Sequence, residues 1–164
     1  MNKKVLLGMS GGVDSSVSAV LLKERGYDVT GVTLNLFPCT SCCSYIDVKS
    51  LCRKIGVEHY ILDGKDDFKK YVIDDFIQSY DNCLTPNPCI ECNKYMKFGY
   101  MYKKAKELGC DYVATGHYAK VEYDEKYGKF VLRKSHAGRK DQSYVLWNIP
   151  KNMLEHVIFP LADF

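Results

Sequence analysis

The chain has 164 residues, of which 46% are hydrophobic and 26% are charged, and its formal net charge is +3. This size and composition are ordinary for one soluble globular domain, and the net charge permits contact with nucleic acid without being a polybasic signature. The N-terminal apolar run stops at "SGG" and is too short for a signal peptide, and no stretch is long enough to cross a bilayer. We therefore expect a cytoplasmic protein that does not associate with a membrane.

Apolar patterns predict four strands that alternate with helices. The strands are apolar runs without polar alternation, and they lie at 3–8, 27–36, 58–63 and 110–115. The helices have apolar residues at spacings of three and four, and they lie between Val13 and Gly26, between Ser44 and Gly56, over 68–80, and from Phe98 to Gly109. The prolines of "TPNP" exclude regular structure at 85–88.

This order of elements predicts an α/β fold. Strands that are apolar on both faces and separated by helices indicate a Rossmann-like parallel sheet with helices on both faces. Residues 119–134 alternate around a turn that contains glycine, so a β-hairpin is expected to follow the sheet. The last segment, 140–164, has a mixed pattern that predicts no single element.

The stretch "SGGVDSS" at Ser10–Ser16 joins the first strand to the first helix. In parallel sheets ligands bind at the carboxyl ends of strands, and a helix N-terminus there attracts anions. Gly11 and Gly12 would let the backbone close around a phosphate, the serines would donate hydrogen bonds, and Asp14 would hold Mg²⁺. The stretch lacks the P-loop lysine and the GxGxxG spacing. The alternative is a glycine-rich turn that only caps the helix.

The motif "SGGVDS" resembles the pyrophosphate-binding loop of the ATP pyrophosphatase superfamily, also called adenine nucleotide alpha hydrolases or N-type ATP pyrophosphatases. Three further stretches, "TPNPCIECNKYMKFG", "ATGHYAKV" and "KDQSYVL", resemble bacterial tRNA-specific 2-thiouridylases of the MnmA type in order and spacing. The resemblance runs from Val5 to Phe164. It implies an enzyme that uses ATP and Mg²⁺ to adenylate O2 of the wobble uridine of tRNA. Sulfur delivered on a cysteine then replaces that oxygen.

The resemblance also implies roles for individual residues. The implied ATP-binding residues are Gly8, Met9, Ser10, Gly11, Gly12, Val13, Asp14, Ser15, Leu34 and Gly116. Leu34 would line the adenosine, and Gly116 would let the backbone approach the nucleotide closely. The implied tRNA-binding residues are Asn87, Pro88 and Cys89 at the target base, and Lys140, Asp141 and Gln142 elsewhere on the tRNA. Lys140–Gln142 could instead begin a solvated helix, and His117 could simply cap a strand.

Cys92 matches the first catalytic cysteine of the family, and we expect Cys92, Cys89 and Asp14 to be catalytic. A thiolate on Cys92 would be favoured by the N-terminus of the helix that follows it and by Lys94. The alternative is that Cys92 is an inert thiol.

The chain has eight cysteines, which in a reducing cytosol favour metal or sulfur chemistry over disulfides. Cys52 and Cys110 fit the core, and Cys83 fits either a core or a loop position. The remaining five are expected in loops, and they are Cys39, Cys42, Cys43, Cys89 and Cys92.

Many relatives have an aspartate at the position of Cys89, so the C-x-x-C pair of Cys89 and Cys92 is a departure from the family pattern. That spacing suits redox exchange, zinc or an iron–sulfur cluster. We predict a labile [4Fe–4S] cluster that takes its third thiolate from Cys39, Cys42 or Cys43.

Full members of this family continue into a central region and a C-terminal β-barrel, which together bind tRNA and supply a second, persulfide-carrying cysteine. We therefore expect 1–164 to be the ATP pyrophosphatase domain alone, either as a fragment or as a short form. A short form would obtain its sulfur from sulfide or directly from a persulfide carrier protein. Two other functions stay open: a non-catalytic module that binds ATP or tRNA, and another sulfur transferase of the ATP pyrophosphatase superfamily.

Overall fold

The computed structural model describes residues 2–37, 43–136 and 138–164, with the side chains of 43–45 outside the description. Seven strands are numbered here in chain order: β1 (Lys4–Gly8), β2 (Asp28–Asn35), β3 (Glu58–Asp63), β4 (Tyr112–Ala114), β5 (Ala119–Asp124), β6 (Lys129–Lys134) and β7 (Val157–Ile158). Five of them form one parallel sheet in the order β3-β2-β1-β4-β7, and β5 and β6 form the antiparallel hairpin. The predicted fold class is confirmed.

The first two helices, α1 (Val13–Glu24) and α2 (Cys43–Ile55), lie where the sequence predicts them. A third helical stretch begins as α3 (Lys65–Phe68), passes through the π-helical residues Lys69–Ile73 and continues as α4 (Asp74–Asp81). A fourth begins as α5 (Pro88–Glu91), is π-helical over Cys92–Tyr100 and ends as α6 (Met101–Glu107).

The helical stretch that ends in α6 begins ten residues earlier than the predicted start at Phe98. The proline of "NPC" explains the difference, because proline is well tolerated at the first position of a helix, where its missing N–H is not needed. Asn87 stays outside the helix at φ −122°, as expected for a residue before proline, and Pro88 begins α5. Cys89 and Cys92 therefore lie on a helix and not in a loop. Cys43 is likewise the first residue of α2, so the loop prediction is wrong for these three cysteines.

The core occupies both faces of the sheet. Alternate residues of β1 point to opposite faces, so Leu6 belongs to one apolar cluster and Val5 and Leu7 to the other. Helices α1 and α2 cover the Val5 face, and α6 with residues 98 and 145–159 covers the Leu6 face. The exception is the edge strand β3, where Tyr60 and Ile61 are 42% and 49% exposed.

Strand β7 was not predicted. It contributes only Val157 and Ile158, which pair with Val113 and Ala114 of β4 at the far edge of the sheet. Two residues are too few for a periodic signal, so only the contacts with β4 define them as a strand. No helix in the described ranges is both long enough and apolar enough to span a membrane.

Candidate active site

A cavity of about 460 Å³ opens at the carboxyl ends of β1, β2 and β4, where binding sites of parallel sheets are found. It gathers seven of the ten predicted ATP-binding residues and one predicted tRNA-binding residue: Gly8, Met9, Ser10, Asp14, Ser15, Leu34, Gly116 and Gln142. Five further residues that line the cavity have no site role predicted from the sequence: Thr33, Lys97, Met101, Thr115 and His117. Three of them lie in the motifs "CNKYMKFG" and "ATGH", and these motifs are the only feature of the sequence that points to them: Lys97, Thr115 and His117.

Serine hydroxyls hold the loop between β1 and α1 in shape. The Ser15 hydroxyl donates to the carbonyl oxygen of Gly12 at 3.0 Å, and the backbone N–H of Ser10 donates to Ser15 Oγ at 3.3 Å. The backbone N–H of Gly12 in turn donates to Ser10 Oγ at 3.3 Å. The loop thus wraps the N-terminus of α1, and Ser10 and Ser15 both line the cavity.

Gly11, Gly12 and Val13 shape this loop without lining the cavity. Gly11 has φ +82°, and a Cβ on it would lie 2.8 Å from Val48 Cγ2, so a larger residue would be both strained and crowded. Gly12 occupies the N-cap position of α1, and Val13, the first residue of that helix, is 77% exposed. Their predicted contact with ATP stays a prediction.

Gly116 brings the turn after β4 against the start of α1. A Cβ on Gly116 would lie 3.0 Å from the carbonyl carbon of Asp14 and 3.0 Å from the backbone nitrogen of Ser15. The glycine is therefore required by backbone packing, independently of its predicted approach to a nucleotide.

Strand β2 supports the loop from the other side. Thr33 donates its single hydroxyl proton to the carbonyl oxygen of Met9 at 2.7 Å, so it accepts a hydrogen bond from His59 Nε2 at 2.8 Å. Nε2 of His59 therefore carries a proton, and burial followed by the charge of Lys49 lowers the pKa of His59.

Asp14 is held by Tyr118, a residue for which no role was predicted from the sequence. The Tyr118 hydroxyl donates to Asp14 Oδ1 at 3.0 Å. Gln142 fixes the backbone of Tyr118 through two hydrogen bonds of 3.0 and 2.7 Å. The ammonium of Lys140 lies 5.2 Å from the centre of the Tyr118 ring. The predicted tRNA segment 140–142 thus reaches the candidate Mg²⁺ ligand through Tyr118.

The other predicted tRNA-binding residues lie outside the cavity. Asp141 accepts from the Ser135 backbone N–H at 2.9 Å and from the Ser143 hydroxyl at 2.7 Å, so it organises its own loop. Desolvation raises the pKa of Asp141, but these hydrogen bonds outweigh it and the net pKa is lowered. Lys140, Asn87 and Cys89 are exposed, Pro88 is half-buried, and the contact of these residues with tRNA stays a prediction.

His117 bridges Thr115 and Lys97 inside the cavity. Its Nε2 lies 3.4 Å from Lys97 Nζ, which can only donate, so Nε2 accepts and the ring proton sits on Nδ1. That Nδ1–H donates to Thr115 Oγ1 at 2.7 Å. Burial, with the charge of Lys97, lowers the pKa of His117 to about 3. The ring is therefore neutral at physiological pH.

We expect the folded chain to lose stability as the pH falls below about 6.5, the ordinary pKa of histidine. Between that value and the pKa of about 3 in the folded state, the unfolded chain binds one more proton at His117. The free energy of unfolding should therefore fall by about 1.4 kcal/mol per pH unit through this residue. The pKa of His59 is also lowered, so protonation of His59 likewise reduces the free energy of unfolding as the pH falls.

Urea unfolding at several pH values would measure this slope. The variant His117→Gln should lower this slope by the contribution of about one proton. An identical slope in wild type and His117→Gln would contradict the prediction.

Cys89 and Cys92 lie three residues apart on one helix, so they share a face. Cys89 is exposed, whereas Cys92 packs in an apolar cluster with Leu34 and Leu36, which also line the cavity. Burial raises the pKa of the Cys92 thiol, and only the charge of Lys97 opposes this. The expectation that a helix N-terminus and Lys94 favour the thiolate is therefore wrong.

The positions of the Cys92 thiol and the Lys94 ammonium explain this result. Cys92 follows the first turn of its helical stretch and is desolvated there. The ammonium of Lys94 lies 4.5 Å from the centre of the Tyr95 ring. Cys52 is fully buried and Cys110 is half-buried against the core, as predicted.

Within the described part of the chain, no group of three or more histidine, cysteine or acidic side chains is placed to hold a metal ion. Cys39 and Cys42 lie outside the described residues, and Cys43 begins α2 with its side chain outside the description. The described thiols of Cys89 and Cys92 alone do not make a cluster site. Asp14 is the carboxylate that lines the cavity.

A family model described as "tRNA methyl transferase HUP domain" matches residues 3–164. Among curated relatives, a tRNA-specific 2-thiouridylase MnmA of Clostridioides difficile is 51% identical over all of this chain and 48% of its own length. Another of that name, from Clostridium acetobutylicum, is 48% identical over all of this chain and 49% of its length. The chain thus spans about half the length of the curated relatives it matches.

Solved structures agree on the fold. A predicted subunit of tRNA methyltransferase from Methanocaldococcus jannaschii has a TM-score of 0.52 at 22% identity, with 99% of this chain and 69% of that chain covered. A glutamine-dependent NAD+ synthetase from Acinetobacter baumannii has a TM-score of 0.52 at 20% identity, with 69% and 21% covered. The family model covers nearly every residue, so the chain belongs to the tRNA methyl transferase HUP domain family.

Proposed function

We propose that this chain is the ATP-binding and adenylating domain of a cytoplasmic tRNA 2-thiouridylase. The observation that carries the proposal is the cavity at the strand ends, which brings together seven of the ten ATP-binding residues implied by the resemblance. The names of the relatives, which are tRNA-specific 2-thiouridylases, support this over another kind of sulfur transferase.

The proposed reaction has two steps. The O2 atom of the wobble uridine attacks the α-phosphorus of ATP, and pyrophosphate leaves. A sulfur nucleophile then attacks C2, and AMP leaves with the original oxygen. The glycine-rich loop and α1 would hold the pyrophosphate through backbone N–H groups. Mg²⁺, when bound, would neutralise phosphate charge, and Asp14, oriented by Tyr118, is the side chain that would hold it.

Cys92 is the residue that we propose for sulfur transfer. Cys92 packs against the same apolar cluster as Leu34 and Leu36, which line the cavity, and this shared packing supports the assignment. Cys89, on the same helical face and exposed, is accessible to a persulfide carrier protein. The carrier's persulfide would pass its outer sulfur to a cysteine thiol of this chain, and the carrier's own cysteine would leave as a thiol. The segments 87–89 and 140–142 would contact the tRNA.

The test is an anaerobic incubation of this chain with unmodified tRNA, ATP, Mg²⁺ and a persulfide-loaded carrier protein, followed by nucleoside mass spectrometry and AMP determination. We expect AMP formation that depends on tRNA, and 2-thiouridine that disappears in Cys92→Ala but not in the matched control Cys110→Ala. ATP binding without 2-thiouridine would show that the other half of the relatives' length is needed for sulfur transfer. A chain that does not bind ATP would refute the proposal.

A [4Fe–4S] cluster on Cys89 and Cys92 stays a separate proposal, supported by the shared helical face of the two thiols. It requires a third thiolate from Cys39, Cys42 or Cys43. Iron determination on the same anaerobic preparations, after reconstitution, should give about four iron atoms per chain. A low iron content that Cys89→Ser leaves unchanged would rule the cluster out.

A further inference from the structure

Lys97 is the cationic residue of the strand-end cavity. Among the described residues that line it, Asp14 and Lys97 are the ones with full charges, since His117 is neutral. Lys97 forms no ion pair with any described acidic side chain, in contrast to Lys65, Lys69, Lys104 and Lys120. A half-buried ammonium without a carboxylate partner, at the wall of a cavity, indicates an anionic ligand.

His117 holds this ammonium without neutralising it. Its unprotonated Nε2 faces Lys97 Nζ at 3.4 Å, and its Nδ1–H is committed to Thr115 at 2.7 Å. An ammonium has three N–H donors, so two remain for a ligand. The ring of His117 is itself supported by Phe98 and Phe159, at centroid distances of 6.4 and 6.2 Å. The position of Lys97 is therefore set before a ligand arrives.

The position of Lys97 relative to Cys92 identifies the part of the ligand it meets. Lys97 follows Cys92 by five residues in the π-helical segment Cys92–Tyr100, in which backbone hydrogen bonds join residues five apart, so the two side chains lie about one turn apart on the same face. In the proposed reaction, sulfur attacks C2 of the uridine, which is joined through O2 to the α-phosphate. The β- and γ-phosphates leave as pyrophosphate before that step. A cation near both the cavity and the thiol is therefore placed for the α-phosphate.

We propose that Lys97 binds the α-phosphate of ATP and of the uridine adenylate, and that it stabilises AMP as the leaving group. This inference rests on the proposed function. In this proposal Lys97 binds the α-phosphate, whereas the glycine-rich loop binds the pyrophosphate portion. Removal of the Lys97 charge should therefore lower the affinities for AMP and ATP but leave the affinity for pyrophosphate unchanged.

Isothermal titration of the chain with ATP, AMP and pyrophosphate, each with Mg²⁺, separates these ligands without requiring turnover. In Lys97→Met we expect the affinities for ATP and AMP to fall by about 10- to 100-fold, with pyrophosphate within about twofold of wild type. Lys94→Met is the matched control, because Lys94 lies on the same helical stretch but over the Tyr95 ring. It should leave all three affinities unchanged.

A second variant, Lys97→Gln, removes the charge but keeps an amide that can donate a hydrogen bond to His117. It therefore tests the charge without loss of this contact. Lys97→Arg, which keeps the charge, should restore most of the AMP affinity. Unchanged ATP and AMP affinities in folded Lys97→Met or Lys97→Gln would overturn the inference, and so would an equal loss for pyrophosphate. If the wild-type chain binds none of the three ligands, the proposed function itself fails.

Discussion

Replacement of Asp14 by asparagine is expected to weaken Mg²⁺-dependent ATP binding by about 100-fold. Asp14 is the carboxylate that lines the cavity, at the start of α1. Its amide replacement can still accept the hydrogen bond of Tyr118, so the loop should keep its shape while the charge that holds Mg²⁺ is lost. Titration of Asp14→Asn with ATP, with and without Mg²⁺, measures the effect.

The control is Asp75→Asn, because Asp75 also lies in a helix, α4, but is exposed and far from the loop in sequence. It should bind Mg²⁺–ATP as the wild-type chain does. In Asp14→Asn, we expect Mg²⁺ to add little to the affinity for ATP. An undiminished Mg²⁺ effect would remove Asp14 from the proposed metal site.

Phe98→Ala is expected to lower the free energy of unfolding by about 3–5 kcal/mol, the range for large-to-small changes of a buried phenylalanine. The Phe98 ring is fully buried between the sheet and the C-terminal segment, and it meets the Phe159 ring edge-on at a centroid distance of 5.9 Å. A cavity at this point would also leave His117 without support, so the affinity for AMP should fall as well.

Urea unfolding would compare Phe98→Ala with Phe76→Ala, which removes the same atoms from a ring that is 39% exposed on α4. The control should lose about 1–2 kcal/mol. Equal losses in both variants would mean that the helix bearing Phe98 does not pack on the sheet as described.

Most of the fold could be predicted because the signals are local and periodic. Four parallel strands and the hairpin follow from apolar runs and alternation, and the predicted limits of β3, 58–63, coincide with the observed ones. Two kinds of error arose. Pro88 begins a helix although the pattern "TPNP" predicts none, because proline is tolerated at the first helical position. Strand β7 is too short to carry a pattern and depends on its contacts with β4.

The site was predictable only in part for the same reason. The motif "SGGVDS" identified the loop, since its glycines and serines act on neighbours in sequence. Lys97 and His117 are 20 residues apart in sequence. They meet because the helical stretch that bears Lys97 continues into α6, which packs against β4, the strand just before His117. Tyr118 reaches Asp14 across 104 residues. Neither the Lys97–His117 contact nor the Tyr118–Asp14 contact produces a periodic pattern in the sequence.

The α/β class, the positions of the first four strands along the chain, and the glycine-rich loop between β1 and α1 could be read from the sequence, because each rests on residues close together in the chain. The protonation of His117, the burial that disfavours a Cys92 thiolate, and the contact of Lys97 with His117 could be read only from the folded structure. Desolvation and charge act through space, so they are defined only once distant segments have packed.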